Sequence, residues 1–233
     1  MDNQDTPTKT HTLIISDFHL GSKVSRSRDL INFLSDFRFK KLILLGDIFE
    51  SLNFNRLNET DWQLISLIGE LSKKSKVIWV AGNHDLGLTG FLGSLTDIKV
   101  CNFHSWKYQG KKYLAIHGHQ FDNFLVDNAV ISFLANWIYN FIQIVDFKDK
   151  RISRAIKRKS KGWLRISNKV AQRAVIYARV MQADYIFCGH THKAMELDKK
   201  EIKYYNCGCW TDEPANYITL DGEEIRIMEY VNN

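Results

Sequence analysis

The first half of the chain alternates short, unbroken apolar runs with segments of helical periodicity. THTLIIS, which leads into Asp17, carries Leu13, Ile14 and Ile15 without a polar break, as a strand buried on both faces would. Leu30, Ile31, Phe33, Leu34 and Phe37 then fall at helical spacing, which predicts a helix over residues 29–37. A second strand is expected in KLILLGD from Lys41, a second helix from Asp61 to Leu71, and a third strand in KVIWVAGNHD, breaking at Gly82. IKVCNF and KYLAIHGH are also strand-like. Residues 124–181 differ: they hold one glycine, no proline and no period-two alternation, and predict consecutive helices. ADYIFCGHTH resumes the strand pattern, followed by KEIKYYNCGC, ANYITL and EEIRIMEY, with Asp221-Gly222 as a turn. The expected plan is an α/β core of residues 1–123 and 182–233, interrupted by a helical insertion at 124–181.

Composition supports a packed core. Of 233 residues, 45% are hydrophobic and 25% charged, ordinary for one large domain or one domain with an insertion. Two prolines leave no Pro-rich linker, and no repeat of solenoid length recurs. The N-terminal residues lack a basic stretch followed by an apolar run, so no secretory signal is expected. Cys101, Cys188, Cys207 and Cys209 match no paired zinc spacing, so reduced, buried thiols and a cytoplasmic location are expected. The net charge of +6 points to an anionic partner, though its placement matters more than its size.

The chemistry gathers at strand ends. The first strand delivers Asp17 and His19, the second Asp47 and Glu50, and the third Asn83, His84 and Asp85; later strands deliver His117 with His119 and His190 with His192. Ligand sites in α/β sheets lie outside the carboxyl ends of strands, so these side chains can converge. Carboxylate, amide and imidazole donors suit Mn²⁺, Fe²⁺, Co²⁺ or Zn²⁺, and the lack of thiolates argues against a structural zinc site. One bridging carboxylate would place two such ions at the spacing used for in-line displacement at phosphorus. Each motif alone is an ordinary turn; all of them in order are not.

D-x-H, G-D-x-x-E, G-N-H-D, a single His and G-H-x-H, in this order from Asp17 to His192, resemble the calcineurin-like metallophosphoesterase superfamily. The resemblance implies a four-layer α/β/β/α sandwich. It implies that Asp17, His19 and His192 hold one metal, Asn83, His117 and His190 a second, and that Asp47 bridges them. SDFHLGS, GDIFE, HGHQFD, the basic helical segment and CGHTHKA resemble more narrowly the UDP-2,3-diacylglucosamine pyrophosphohydrolases of lipid A synthesis and their relatives. That likeness implies cleavage of a pyrophosphate, typically with Mn²⁺. The chain departs from it at His84, where well-characterised members often carry Arg.

On this reading a hydroxide between the cations is the nucleophile, and His84 contacts the phosphate or protonates the leaving oxygen. Asp85 is expected to orient His84, and Asn83, His84 and Asp122 are candidate substrate contacts. Glu50 is expected to hydrogen-bond behind the ligands rather than to ligate; His119 is left open.

Within the helical span, Asn128–Phe147 is amphipathic, its polar stripe formed by Ser132, Asn136, Asn140 and Gln143, too broken for a membrane span. Lys148, Lys150, Arg151, Arg154, Lys157, Arg158, Lys159, Lys161, Arg165, Lys169 and Arg173 follow it. An apolar helix before basic ones suits an anionic membrane surface, met through residues 128–173, or a groove for acyl chains beside a diphosphate. A phosphorylated small molecule or lipid is thus the expected substrate, at the inner face of the inner membrane, with neither nucleic acid nor a protein partner expected. Two other readings share the fold. One is a phosphodiesterase or nuclease, disfavoured because aromatics are not interleaved among the basic residues apart from Trp163. The other is a non-catalytic scaffold, disfavoured because the ligand set is complete.

Overall fold

The computed structural model describes residues 8–85, 98–122 and 161–232. Strands β1 (Thr8–Ile15), β2 (Phe37–Leu45), β3 (Lys76–Val80) and β4 (Lys99–Cys101) lie side by side and parallel. Antiparallel β10 (Ala215–Asp221) and β11 (Glu224–Tyr230) extend this sheet beyond β1, giving the order β11-β10-β1-β2-β3-β4. A second sheet runs β5-β6-β7-β9-β8, from β5 (Phe103–Tyr108), β6 (Lys111–Ile116), β7 (Tyr185–Cys188), β8 (Met195–Lys199) and β9 (Ile202–Asn206).

The unbroken apolar runs are explained by burial on both faces. Leu13, Ile15, Leu42, Leu44, Val77 and Trp79 face α1 (Ser27–Asp36) and α2 (Glu59–Ser72), which contribute Leu30, Phe33, Leu34, Leu64 and Ile68. The alternate residues Ile14, Ile43, Leu45, Ile78 and Val80 face the second sheet and meet Trp106, Tyr113, Ala115, Phe187 and Tyr205. The outer face of the second sheet, with Leu114, Ile116, Ile186 and Tyr204, is covered by α3 (Lys161–Val180) through Val170, Ala171, Ala174, Val175 and Ala178. Helices, sheet, sheet and helix make the expected four-layer sandwich.

Three details differ from the sequence expectation, the first being that β2 begins at Phe37, which the helical spacing assigns to α1, rather than at Lys41. IKVCNF is two strands: β4 closes the first sheet and β5 opens the second, the chain crossing between them at Asn102. MELDK forms β8, an edge strand too polar and half-exposed to show in the apolar pattern. Of the span 124–181, residues 161–180 are α3, packed on the second sheet. The amphipathic stretch Asn128–Phe147 and the basic residues from Lys148 to Lys159 lie outside the described residues.

The loop after β1 is tied to the start of α2 by a buried carboxylate. Asp61 takes hydrogen bonds from Ser27 Oγ, from Ser25 Oγ at 3.4 Å, and from the backbone N–H of Gly21 at 3.3 Å and Asn58 at 3.0 Å. Asn58 returns the bond to the Asp61 N–H, closing a capping box. Asp61→Ala would leave the buried Ser27 hydroxyl and the half-buried Gly21 N–H without their acceptor, and unfolding in urea is expected to show a loss of about 1–3 kcal/mol; a change below about 0.5 kcal/mol would mean that the loop is held by other contacts.

Candidate metal centre

The carboxyl ends of β1, β2 and β3 meet the ends of β6 and β7 along the edge where the two sheets face each other. Backbone bonds lace the turns together. The Asp17 N–H donates to Gly46 O (3.0 Å), the His19 N–H to Asp47 O (3.1 Å), and the Gly189 N–H to His117 O (2.9 Å). Trp210 N–H reaches Asp17 O at 3.2 Å, and the His190 N–H reaches Asp17 Oδ2 at 3.2 Å, so one aspartate belongs to both sheets' turns.

These turns use uncommon backbone. Asp17, His19, Asp47, His190 and His192 all have positive φ, between 49° and 65°. For non-glycine residues this left-handed region costs of order 1–3 kcal/mol each, and it persists where the surroundings over-determine it. Glycines leave the room. A Cβ on Gly82 would overlap the carboxylate and N–H of Asp47, and one on Gly189 would fall 2.5 Å from Asp17 Oδ2.

The side chains converge. His192 Nε2 lies 3.1 Å from Asp17 Oδ1, His117 Nε2 3.4 Å from the same oxygen, and His19 Nε2 3.4 Å from His192 Nε2. Asp47 Oδ2 lies 3.7 Å from His117 Nε2 and 3.9 Å from His19 Nε2. Donor atoms of Asp17, His19 and His192 form one group within 4.8 Å of one another, and those of Asp47, His117 and His190 form another. A third group, His19, Glu50 and His84, shares His19 with the first. The Asn83 Oδ1 is buried without a hydrogen-bond partner among the described residues. A buried acceptor left free is rare, and it is what a cation ligand needs to be. The donor set and this free acceptor fit two divalent cations with oxygen and nitrogen preference.

The electrostatics fit as well. Burial disfavours charge on Asp17, yet His192 and His117 outweigh it and hold the carboxyl well below its ordinary range. Burial likewise opposes charge on Asp47, and His117 and His19 bring it down overall, against the repulsion of Asp17. Burial would lower His117, but Asp47 and Asp17 raise it; burial would lower His192, but Cys209 and Asp17 raise it well above the ordinary imidazole value. Burial lowers His190 despite its bond to Asp122, and burial with the neighbouring His117 and His190 pushes His119 down to about 4.

Around this cluster the remaining residues take roles that differ in part from expectation. Asp85 does not orient His84. Its carboxylate accepts from the N–H groups of Ile48 (3.2 Å), Phe49 (3.2 Å) and Gly82 (3.1 Å) and from the Trp79 indole (3.4 Å). It thereby pins the turns that carry Asp47 and Asn83. His84 is held instead by its own N–H on Asp47 Oδ1 (3.0 Å) and by Nδ1 on the Glu50 carbonyl (2.6 Å). Glu50 sits behind a ligand as expected, its Oε2 3.0 Å from His19 Nδ1. Asp122 lies 3.2 Å from His190 Nε2, so it steadies that imidazole. His119 Nδ1 is 3.1 Å from His117 Nδ1, behind another ring of the cluster. The Glu50 carbonyl and Cys209 are the partners that sequence reasoning missed; a backbone acceptor leaves no residue-type signal at all. The four cysteines are free thiols, three of them buried and Cys101 half-buried.

Residues 10–194 match the family model described as calcineurin-like phosphoesterase. No curated protein matches the chain. Among solved structures, Yfce, a phosphoesterase from E. coli, aligns at 16% identity over 90% of this chain and 87% of its own, with a TM-score of 0.50. Vacuolar Protein Sorting 29 from Cryptosporidium parvum aligns at 12% identity over 94% of this chain and 95% of its own, also with a TM-score of 0.50. Likeness at this distance speaks for the fold alone.

Two outcomes follow from the geometry. In Gly82→Ala the new methyl group must displace Asp47, so divalent-metal content by elemental analysis is expected to fall while the circular dichroism spectrum stays that of a folded protein; full metal content would show that the approach of Gly82 to Asp47 is dispensable. The raised His117 and His192 hold protons that a cation must displace, whereas His190, already lowered, gives up none at neutral pH. Metal affinity is therefore expected to weaken as pH falls, with proton release visible as a buffer-dependent heat in titration calorimetry. A heat independent of the buffer would refute it.

Proposed function

The chain belongs to the calcineurin-like phosphoesterase family, and from that premise we propose that it hydrolyses a phosphoester or pyrophosphate bond using two divalent cations, Mn²⁺ ahead of Fe²⁺, Co²⁺ or Zn²⁺. The observation that supports the proposal is the gathering of Asp17, His19 and His192 in one donor group and of Asp47, His117 and His190 in another, with the unpartnered Asn83 Oδ1 between Gly82 and His84, both of which lie against Asp47. We assign Asp17, His19 and His192 to one cation, Asn83, His117 and His190 to the other, and Asp47 to both. When bound, such a pair supplies Lewis-acid polarisation and charge neutralisation at phosphorus.

The protein's own part is positioning and proton handling. A carbonyl can only accept, so the bond to the Glu50 carbonyl fixes Nδ1 of His84 as a protonated nitrogen. Nε2 is then the nitrogen left to face a substrate, where it can donate to a phosphoryl oxygen or pass a proton to the leaving oxygen. Glu50 and Asp122 fix the rings of His19 and His190 from behind, as carboxylates do for metal-bound imidazoles. Asp85 holds the two turns in place without touching the reacting groups.

For the substrate we propose a nucleotide-diphosphate lipid such as UDP-2,3-diacylglucosamine, met at the inner face of a membrane. Support comes from the run His117 to Asp122, from the exposed Arg165 and Lys169 on α3, and from the apolar-then-basic order of residues 128–173. No helix among the described residues is long and apolar enough to cross a membrane. Asp122 keeps its place as a candidate substrate contact in addition to its bond to His190.

Two variants separate the roles. Asp47→Asn is expected to abolish turnover of both UDP-diacylglucosamine and a simple phosphodiester, with the fold retained; turnover surviving after metal repletion would remove Asp47 from the shared position. His84→Ala is expected to keep both metals yet lose about 10²–10⁴ in kcat, the range for one general acid; loss of metal would instead make His84 a ligand. Cleavage of the simple diester alone would leave the reaction class standing and sink the lipid.

A further inference from the structure

The opposite end of the first sheet carries a cluster of cations that the proposed reaction does not use. Lys41 on β2 and Lys76 on β3 are register partners, and Lys99 on β4 pairs with Ile78, one inward-facing position beyond Lys76. All three share the alternation of Ile43, Ile78 and Cys101, so they lie on the face turned towards the second sheet. Lys41 stands six residues before Asp47, roughly 20 Å along the strand from the metal centre. Like charges on neighbouring strands destabilise a sheet, and among the described residues no acid forms an ion pair with any of the three.

Across from them stand His104 and Trp106 of β5. The Lys41 ammonium lies 4.6 Å over the Trp106 ring, and His104 stacks on the same ring with centroids 5.2 Å apart. His104 Nε2, Trp106 Nε1 and the Tyr113 hydroxyl are buried without a hydrogen-bond partner among the described residues. Their side chains are 7%, 9% and 0% exposed. Burial with Lys41, Lys99 and Lys76 pushes His104 down to about 4, and burial with Lys76 pushes Lys41 down to about 8, as expected where cations crowd without a counter-charge.

The donor chemistry selects the ligand. An indole N–H and ammonium groups can only donate, so whatever satisfies them must accept, and the surplus positive charge requires it to be negative. Donors arriving from two sheets call for several acceptor atoms on one centre. We propose that Lys41, Lys76, Lys99, His104 and Trp106 form a binding site for a tetrahedral oxyanion of the phosphate type, separate from the metal centre. Such an ion offsets the repulsion among the lysines and pairs the indole N–H. It can arrive free or as the terminal group of a phosphate monoester.

The test reads the Trp106 indole N–H by NMR in the full-length ¹⁵N-labelled protein loaded with diamagnetic Zn²⁺, the resonance being assigned with Trp106→Phe. Sulfate, a tetrahedral oxyanion that leaves Zn²⁺ in solution, is titrated against sodium chloride at matched ionic strength. A saturable shift with sulfate beyond that with chloride is expected. Lys41→Met is expected to weaken it about tenfold, the worth of one charge-assisted hydrogen bond, and Lys99→Met, at an exposed position, to weaken it with less risk to the fold. Asp47→Asn should leave it unchanged. Displacement of sulfate by methyl phosphate at lower concentration than by inorganic phosphate would identify a monoester as the occupant; equal displacement would identify the free ion. A shift no larger than that with chloride, an unchanged midpoint in both lysine variants, or loss of the shift in Asp47→Asn would overturn the site.

Discussion

Asp17 and Asp47 sit side by side at 0% and 3% exposure, where the two sheets meet, and most of the surrounding architecture answers the cost of putting them there. A bare carboxylate cannot be buried without compensation, and two adjacent ones repel. The fold compensates with imidazoles: His19, His117 and His192 crowd around the two carboxylates at 3.1 to 3.9 Å. The close contact of Asp17 and Asp47 with these imidazoles raises His117 and His192 and lowers both aspartates, against the burial that opposes their charge. A divalent cation held by these residues would supply the same charge compensation and would require the histidines to be unprotonated. The network is thus a charge-compensated cluster of carboxylates and imidazoles of the kind that can hold divalent cations.

Neither sheet could build this alone. The first supplies Asp17, His19, Asp47 and Asn83, the second His117, His190 and His192. Their separation is set by hydrogen bonds between turns of the two sheets, from the Trp210 N–H to the Asp17 carbonyl (3.2 Å) and from Ser16 Oγ to the Gly208 carbonyl (3.2 Å). The inter-sheet core of Ile14, Ile43, Val80, Phe187 and Tyr205 stands directly beneath. Apolar burial there provides the stability against which five left-handed, non-glycine backbone positions can be maintained. Packing and chemistry are therefore coupled through the distance between sheets: whatever loosens the core moves one half of the donors against the other.

The legible part of this was the part written in side-chain type at fixed period. Leu13 to Ile15, Leu42 to Leu45 and Val77 to Val80 declare strands buried on both faces, and polar residues directly after them declare where the chain turns. What could not be seen were features that depend on the third dimension. β4 and β5 are contiguous in sequence yet belong to different sheets, because Asn102 carries a crossing that no periodicity encodes. β8 escaped because an edge strand with one dry face needs few apolar residues. The packing of α3 on the second sheet rests on Ala171, Ala174 and Ala178, small residues that look unremarkable in a basic helix but let the helix lie close. Arg173 of that basic helix donates to the Phe121 carbonyl at 2.9 Å, so one of its charges steadies the turn carrying His119 and Asp122.

The pair His84 and Asp85 shows why adjacency misleads. A carboxylate beside a histidine in sequence suggests an orienting dyad, but consecutive residues in a turn point apart, and here the carboxylate turns inward. Burial and the neighbouring Asp47 charge raise its pKa, and the N–H groups of Gly82, Phe49 and Ile48 pull it back only in part. A raised carboxyl in a cleft is often read as a catalytic acid. In this molecule its oxygens are occupied by three backbone N–H groups and an indole, so it has no lone pair directed at a substrate. The perturbation reports the cost of stapling two turns together in the interior. The neighbour His84 is oriented instead by the Glu50 carbonyl, a group invisible in the sequence and fixed by the fold.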